Sequence, residues 1–206
     1  MYYEILDEKR KNILPVLGEF KSSFYLAGGT ALALQIGHRD SIDFDFFTEK
    51  QIDTQKLFET LRGIFKDHVL TKIQEETNTL SVIVDESIKL SFFTYSYPLL
   101  NNVIEEEYLR VASVEDIACM KLSAVTGRAS NKDYIDLYYI LQNTSLLHLL
   151  EIAEKKFSSL DANLILKSLV YFDDISHEPI LFKEGKEIPF ETVKTFLETE
   201  VKKIHY

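Results

Sequence analysis

Asp43 and Asp45 stand one residue apart in the run Asp43-Phe44-Asp45-Phe46-Phe47. On an extended chain alternate residues share a face, so both carboxylates point one way and Phe44 and Phe46 the other. The two acids then sit roughly 6–7 Å apart at the backbone. They can converge on a hard divalent cation such as magnesium, which takes oxygen ligands and completes its shell with substrate phosphates. Upstream, Gly28-Gly29-Thr30 interrupts the apolar run Phe24-Tyr25-Leu26. Two glycines admit left-handed backbone angles and the close approach of a ligand. Free N–H groups ahead of a helix suit a phosphate. A phosphate cradle followed by an acid pair is the equipment of metal-assisted nucleotide chemistry. Each half has a plainer reading, since Gly-Gly makes ordinary turns and Asp-x-Asp occurs on solvated strand edges. Both within one strand–turn–helix–strand unit, residues 24–48, favour a site.

The elements around that unit follow from pattern. Thr30 is placed to cap a short helix over 31–37, closed by Gly37. His38 and Arg39 fall in the loop before the acid strand, where the plain reading is surface loop. Functionally, Arg39 pairs with a triphosphate or orients the acid pair, because guanidinium grips phosphate bidentately. His38 bonds either the backbone or the site. Ser41 shares the acids' face if the strand already begins there. Residues 4–21 read as helix, with Pro15 kinking it or opening a second segment. An amphipathic helix is expected over 54–65, then strands over 68–74, 79–84 and 88–95, with turns at Asn78 and 85–87. A short strand over 108–111 precedes Ser113-Val114-Glu115-Asp116, a capping box that opens a helix running to Thr126 and ended by Gly127. Lys121 lies along that helix's apolar side, so it either snorkels out or points into a site. Asp133 and Asp136 share one face of a further helix over 133–141, where Asp133 alone would pass for a first-turn acid favoured by the dipole. Helices over 146–157, 160–172 and 190–204 complete the chain.

Composition bounds the answer. The chain has 206 residues, 46% hydrophobic and 27% charged, which suits an ordinary globular protein of one large domain or two small ones. Two units are expected, an α/β core over 1–112 and a helical region over 113–206. No run of eighteen apolar residues suggests a membrane span, and the first residues lack the pattern of a signal peptide. With the single Cys119, this points to a reducing cytoplasm and no disulfide. Net charge is −10, from 23 basic and 33 acidic residues, which argues against broad, nonspecific nucleic-acid binding. A local basic pocket remains compatible.

The stretch GGTALALQIGHRDSIDFDFF resembles the first motif of the AbiEii/AbiGii-type nucleotidyltransferase toxins, within the DNA-polymerase-β-like superfamily. KLSAVTGRASNKDYIDLYYIL resembles the same family's second block, and together the two cover most of residues 20–142. The resemblance implies an α+β polymerase-β-like nucleotidyltransferase fold, a mixed sheet with flanking helices followed by a C-terminal helical region closing the cleft. It implies a magnesium- or manganese-dependent transfer from an NTP, with Asp43 and Asp45 as metal ligands. Gly28, Gly29, Thr30, Arg39 and Ser41 would bind the nucleotide, and Lys121 its phosphates. Arg128, Lys132, Asp133 and Asp136 are placed near the cleft, Asp136 either positioning Lys121 or serving as a base. The acceptor would be RNA (tRNA) or protein, and the antitoxin a separate chain. One departure stands out: the position of the superfamily's third carboxylate reads Ser91, a poor metal ligand. Either another residue supplies the base, or the acceptor needs little help, or the protein is a nucleotide-binding module that has lost turnover. A phosphohydrolase using the same acids is a third possibility.

Overall fold

The computed structural model describes residues 1–127, 130–158 and 160–204. Its strands are β1 (Tyr25–Ala27), β2 (Phe44–Thr48), β3 (Leu70–Glu76), β4 (Thr79–Val84), β5 (Ile88–Thr94), β6 (Ile104–Glu105) and β7 (Arg110–Val111). Its helices are α1 (Glu8–Leu17), α2 (Gly28–Ile36), α3 (Thr54–Ile64), α4 (Val114–Gly127), α5 (Asn131–Leu141), α6 (Leu146–Lys156), α7 (Ala162–Leu169) and α8 (Phe190–Ile204). The strands form one mixed sheet in the order β3-β4-β5-β2-β1-β7-β6. β2 runs parallel to β5 and β1 parallel to β7, while the other neighbours are antiparallel. The architecture is the α+β mixed sheet with flanking helices and a helical C-terminal region that the sequence predicts.

Alternation sets the sheet's polarity. Along β2, Phe44, Phe46 and Thr48 are buried while Asp45 and Phe47 are partly open. Phe46 stacks on Phe92 of β5 at 5.2 Å, and Phe20 and Phe24 meet Phe92 edge-on at 5.1 and 5.2 Å. This aromatic block locks Asp45 opposite Ser91 and Phe46 opposite Phe92. A one-residue slip would drive Asp45 into the phenylalanine core and turn the rings outward, so the register is strongly held.

Several boundaries differ from expectation for identifiable reasons. The first helix is shorter than 4–21. Asp7 caps it, accepting from Arg10 N at 2.9 Å, and Pro15 lies within its last turn before a tight turn at Gly18–Phe20. The Gly28-Gly29 turn is itself the first turn of α2, capped from Ala27 with no side-chain bond. Thr30 is therefore not a cap. Gly37 does close α2, in the left-handed conformation at φ 62°. Ser113 and Asp116 form the expected capping box, Asp116 N donating to Ser113 Oγ at 3.0 Å. The same Asp116 anchors α6 through a fully buried ion pair with Lys156 at 2.8 Å. Among the described residues, no helix is long and apolar enough to cross a membrane.

Candidate active site

A cleft of about 560 Å³ opens over the polar face of β2 and β5. Its walls include Gly28 and Gly29 from α2, Arg39 and Ser41 from the following loop, Asp43 and Asp45 from the acid strand, and Lys121 from α4. Lys132 and Asp133 of α5 complete the far side. The structure therefore brings together residues spread over more than half the chain. Arg128 lies outside the described residues.

The two glycines are required by contact with the acid site. Gly28 has φ +75°, and a methyl group there would stand 2.9 Å from Asp45 Oδ2. At Gly29 a methyl would meet the Arg39 guanidinium at 2.7 Å and Ser41 Oγ at 3.3 Å. Gly28→Ala is expected to cost about 1–2 kcal/mol in backbone strain and, by displacing Asp45, to lower turnover roughly 10–100-fold. Urea unfolding and a transfer assay read both; a variant equal to wild type in the two would remove the close-contact argument.

Thr30 and Ser41 hold the acid loop from behind. Thr30 is 1% exposed, and its hydroxyl donates to the Asp43 backbone carbonyl. It also pairs with Ser41 Oγ at 2.8 Å. Thr30 is thus placed beneath the cleft, bracing the loop, and is not a wall residue. Ser41 does reach the wall.

The organising ion cluster is buried. Asp136 is fully buried and accepts from Arg39 Nε and Nη2, both at 2.8 Å. His38 Nε2 lies 2.7 Å from its Oδ1, and Lys121 Nζ 2.7 Å from its Oδ2. Lys121 Nζ also donates to Asp133 Oδ1 at 2.7 Å. Burial would raise the Asp136 carboxyl, but the Arg39 and Lys121 charges, with the His38 and Arg39 hydrogen bonds, hold it well below the usual carboxylate range. Burial opposes the Lys121 ammonium, yet Asp136 and Asp133 outweigh it and raise its pKa. These facts bear on two expectations. Of the two roles expected for Asp136, positioning Lys121 or serving as a base, its burial, its contact with Lys121 and its lowered pKa favour the first. Arg39, expected to pair with a triphosphate or orient the acid pair, lines the cleft and directs Nε and Nη2 to Asp136 and Nη1 to the Asp40 carbonyl. Lys121 resolves the other way: at 8% exposure it points inward to the cleft rather than snorkelling.

His38 adds a pH response. It is fully buried, and its Nδ1 has no partner among the described residues. With Nε2–H donated to Asp136, protonation would create a buried N–H with no acceptor. Burial lowers its pKa, and the Asp136 bond does not fully offset this. A folded-state value below the unfolded one, about 6.5, means stability is full above that value. It is lost as pH falls through it towards the folded value. Urea midpoints should accordingly fall between pH 7.5 and 5.5, and His38→Gln should flatten that slope; an unchanged slope in the variant would refute the assignment.

The acid pair suits a hard cation. Asp43 and Asp45 are half-buried, share the cleft face and offer only carboxylate oxygens. Among the described residues no three His, Cys, Asp or Glu side chains gather to hold a metal. This donor set fits magnesium or manganese, which take one or two carboxylates and leave the remaining positions to water and phosphate. Ser91, the residue beside Asp45, is fully buried and accepts from Ser81 Oγ at 3.2 Å, so it contributes nothing to the cleft wall.

Three wall elements escaped the sequence reading. Lys89 faces the cleft from β5, a position that its spacing of two from Ser91 could have signalled. Glu178 pairs with Lys132 at 2.7 Å, and its backbone exchanges hydrogen bonds with the Asn131 side chain at 2.9 and 3.0 Å. The segment carrying Glu178 runs on to Phe182, which bridges Arg39. No local pattern announces that crossing.

The chain matches, over residues 16–188, the family described as "Nucleotidyl transferase AbiEii toxin, Type IV TA system". It is 41% identical over 187 residues to the uncharacterised protein aq_aa25 of Aquifex aeolicus (strain VF5), covering 88% of this chain and 87% of that one. MenT4, a nucleotidyltransferase toxin of Mycobacterium tuberculosis H37Rv, is similar in structure with a TM-score of 0.60 at 15% identity, over 94% of this chain and 82% of that one. JHP933 from Helicobacter pylori gives a TM-score of 0.56 at 17% identity, over 100% and 93%. The structural likenesses concern the fold, and the sequence match carries the family: this chain belongs to the AbiEii nucleotidyltransferase toxins.

Proposed function

We propose that this nucleotidyltransferase moves a nucleoside monophosphate from an NTP to an RNA (tRNA) or protein acceptor, with magnesium or manganese held by Asp43 and Asp45. An acceptor hydroxyl oxygen bonds to the α-phosphorus as the bond to the pyrophosphate oxygen breaks, and the hydroxyl proton passes to solvent. The cation, when bound, would stabilise charge on the phosphate oxygens. The backbone at Gly28 and Gly29 offers N–H donors at the N-terminus of α2. Lys121, aimed by Asp133 and Asp136, supplies positive charge as pyrophosphate leaves. Arg39, His38 and Asp136 act behind it as the frame. As a toxin it would be held by a separate antitoxin chain and act in the cytoplasm.

The observation that carries this reading is the shared cleft: Gly28 packed on Asp45, Gly29 packed on Arg39 and Ser41, and Lys121 fixed by two carboxylates face one space. The test is label transfer. Purified protein is incubated with magnesium or manganese, each α-labelled NTP in turn, and cellular RNA plus protein. Label on RNA or protein supports transfer and names donor and acceptor class. Metal-dependent NTP binding without any label would overturn it in favour of a binding module.

A further inference from the structure

The cleft's positive charges are mostly spoken for. Arg39 is held by Asp136, Lys121 by Asp133 and Asp136, and Lys132 by Glu178. Lys89 differs. It lines the same cleft, is half-buried, and its side chain makes no hydrogen bond or ion pair with any described residue. Its place is fixed by the sheet. β5 runs parallel to β2 with Leu90 beside Phe44 and Ser91 beside Asp45. One step earlier, Lys89 leaves the sheet beside Asp43, on the face that carries both acids.

A cleft-lining ammonium with no carboxylate partner among the described residues, next to an acid pair, is placed for an anion that arrives with the substrate. It also repels a second divalent cation from that flank. Two-metal sites need ligands for both ions, and here the residue next to Asp45 is a buried serine tied to Ser81. Resting on the transferase reading above, we propose that Lys89 is a further nucleotide-contacting residue, a fixed cation that binds the substrate's phosphate oxygens in place of a second metal, so that the site loads one divalent ion.

Binding separates this from the parent reading. A non-hydrolysable NTP analogue is titrated by calorimetry in magnesium, and manganese bound per protein is counted by electron paramagnetic resonance with the analogue saturating. Wild type is expected to hold one manganese. Lys89→Met should weaken analogue binding about tenfold and flatten its salt dependence, whereas Lys89→Arg, keeping the charge, should stay within about threefold. Matching thermal melts would place the loss in the cleft. Equal affinity of Lys89→Met and wild type, or two manganese ions in wild type, would overturn the role of Lys89 alone. Failure of wild type to bind the analogue in any metal would overturn the parent reading with it.

Discussion

Asp45→Asn should reduce label transfer at least about 1,000-fold while leaving the fold intact. The substitution is nearly isosteric, and Asp45 sits on a strand paired on both sides, with Ala27 opposite on β1 and Ser91 on β5. The backbone ladder and the phenylalanine block therefore stay in place. What is lost is one of two charged oxygen donors. If a cation's electrostatic help is worth about 4 kcal/mol in the transition state, its loss is about three decades in rate. Asp43→Asn should behave alike, since on the proposed reading the two hold one ion. Circular dichroism and urea unfolding would show wild-type stability to within about 1 kcal/mol. Retention of more than a tenth of wild-type transfer in either variant would sink the assignment of the pair.

Asp136→Ala should have the largest effect on stability, about 3–5 kcal/mol. The residue is fully buried and compensates two buried cations, Arg39 and Lys121, as well as ordering His38. Removing it leaves those charges facing one another in a low-dielectric interior. Against a typical total of about 5–15 kcal/mol, that loss brings the protein near unfolding. Asp136→Asn keeps the shape and still removes the charge, so it should also destabilise. The contrast with a base role is direct: a base at this position would show wild-type stability and lost turnover. That result with Asp136→Asn would refute the positioning role. Because the Asp136 carboxyl is held well below the ordinary range, its contribution is fully present at neutral pH. It fades only as pH falls below the unfolded carboxylate value towards the folded one.

The sequence was most informative where function and local geometry coincide. Asp43 and Asp45 alternate with phenylalanines, so strand, face and chemistry could be read together. Gly37 and the Ser113–Asp116 box behave as their local chemistry dictates. Elsewhere local reading stops short. Thr30 looks like a cap before a helix, but its hydroxyl is drawn to the Asp43 carbonyl across the motif, a tertiary contact stronger than the local preference. The partnership of His38 and Arg39 with Asp136 spans nearly a hundred residues and leaves no periodic trace. An arginine suited to phosphate is equally suited to a carboxylate, and only the fold decides which it meets. Lys89 and Glu178 were missed because a charged residue in a strand or a loop reads first as solvated.

The segment carrying Glu178 and Phe182 has a kinetic consequence. Its links to Arg39, Asn131 and Lys132 complete a wall begun by residues made far earlier. At synthesis rates of about 5–20 residues per second, Phe182 follows Arg39 by roughly 7–29 seconds. Through that interval a nascent chain carries its acid pair and glycines without a closed cleft, so activity waits until Phe182 has been made.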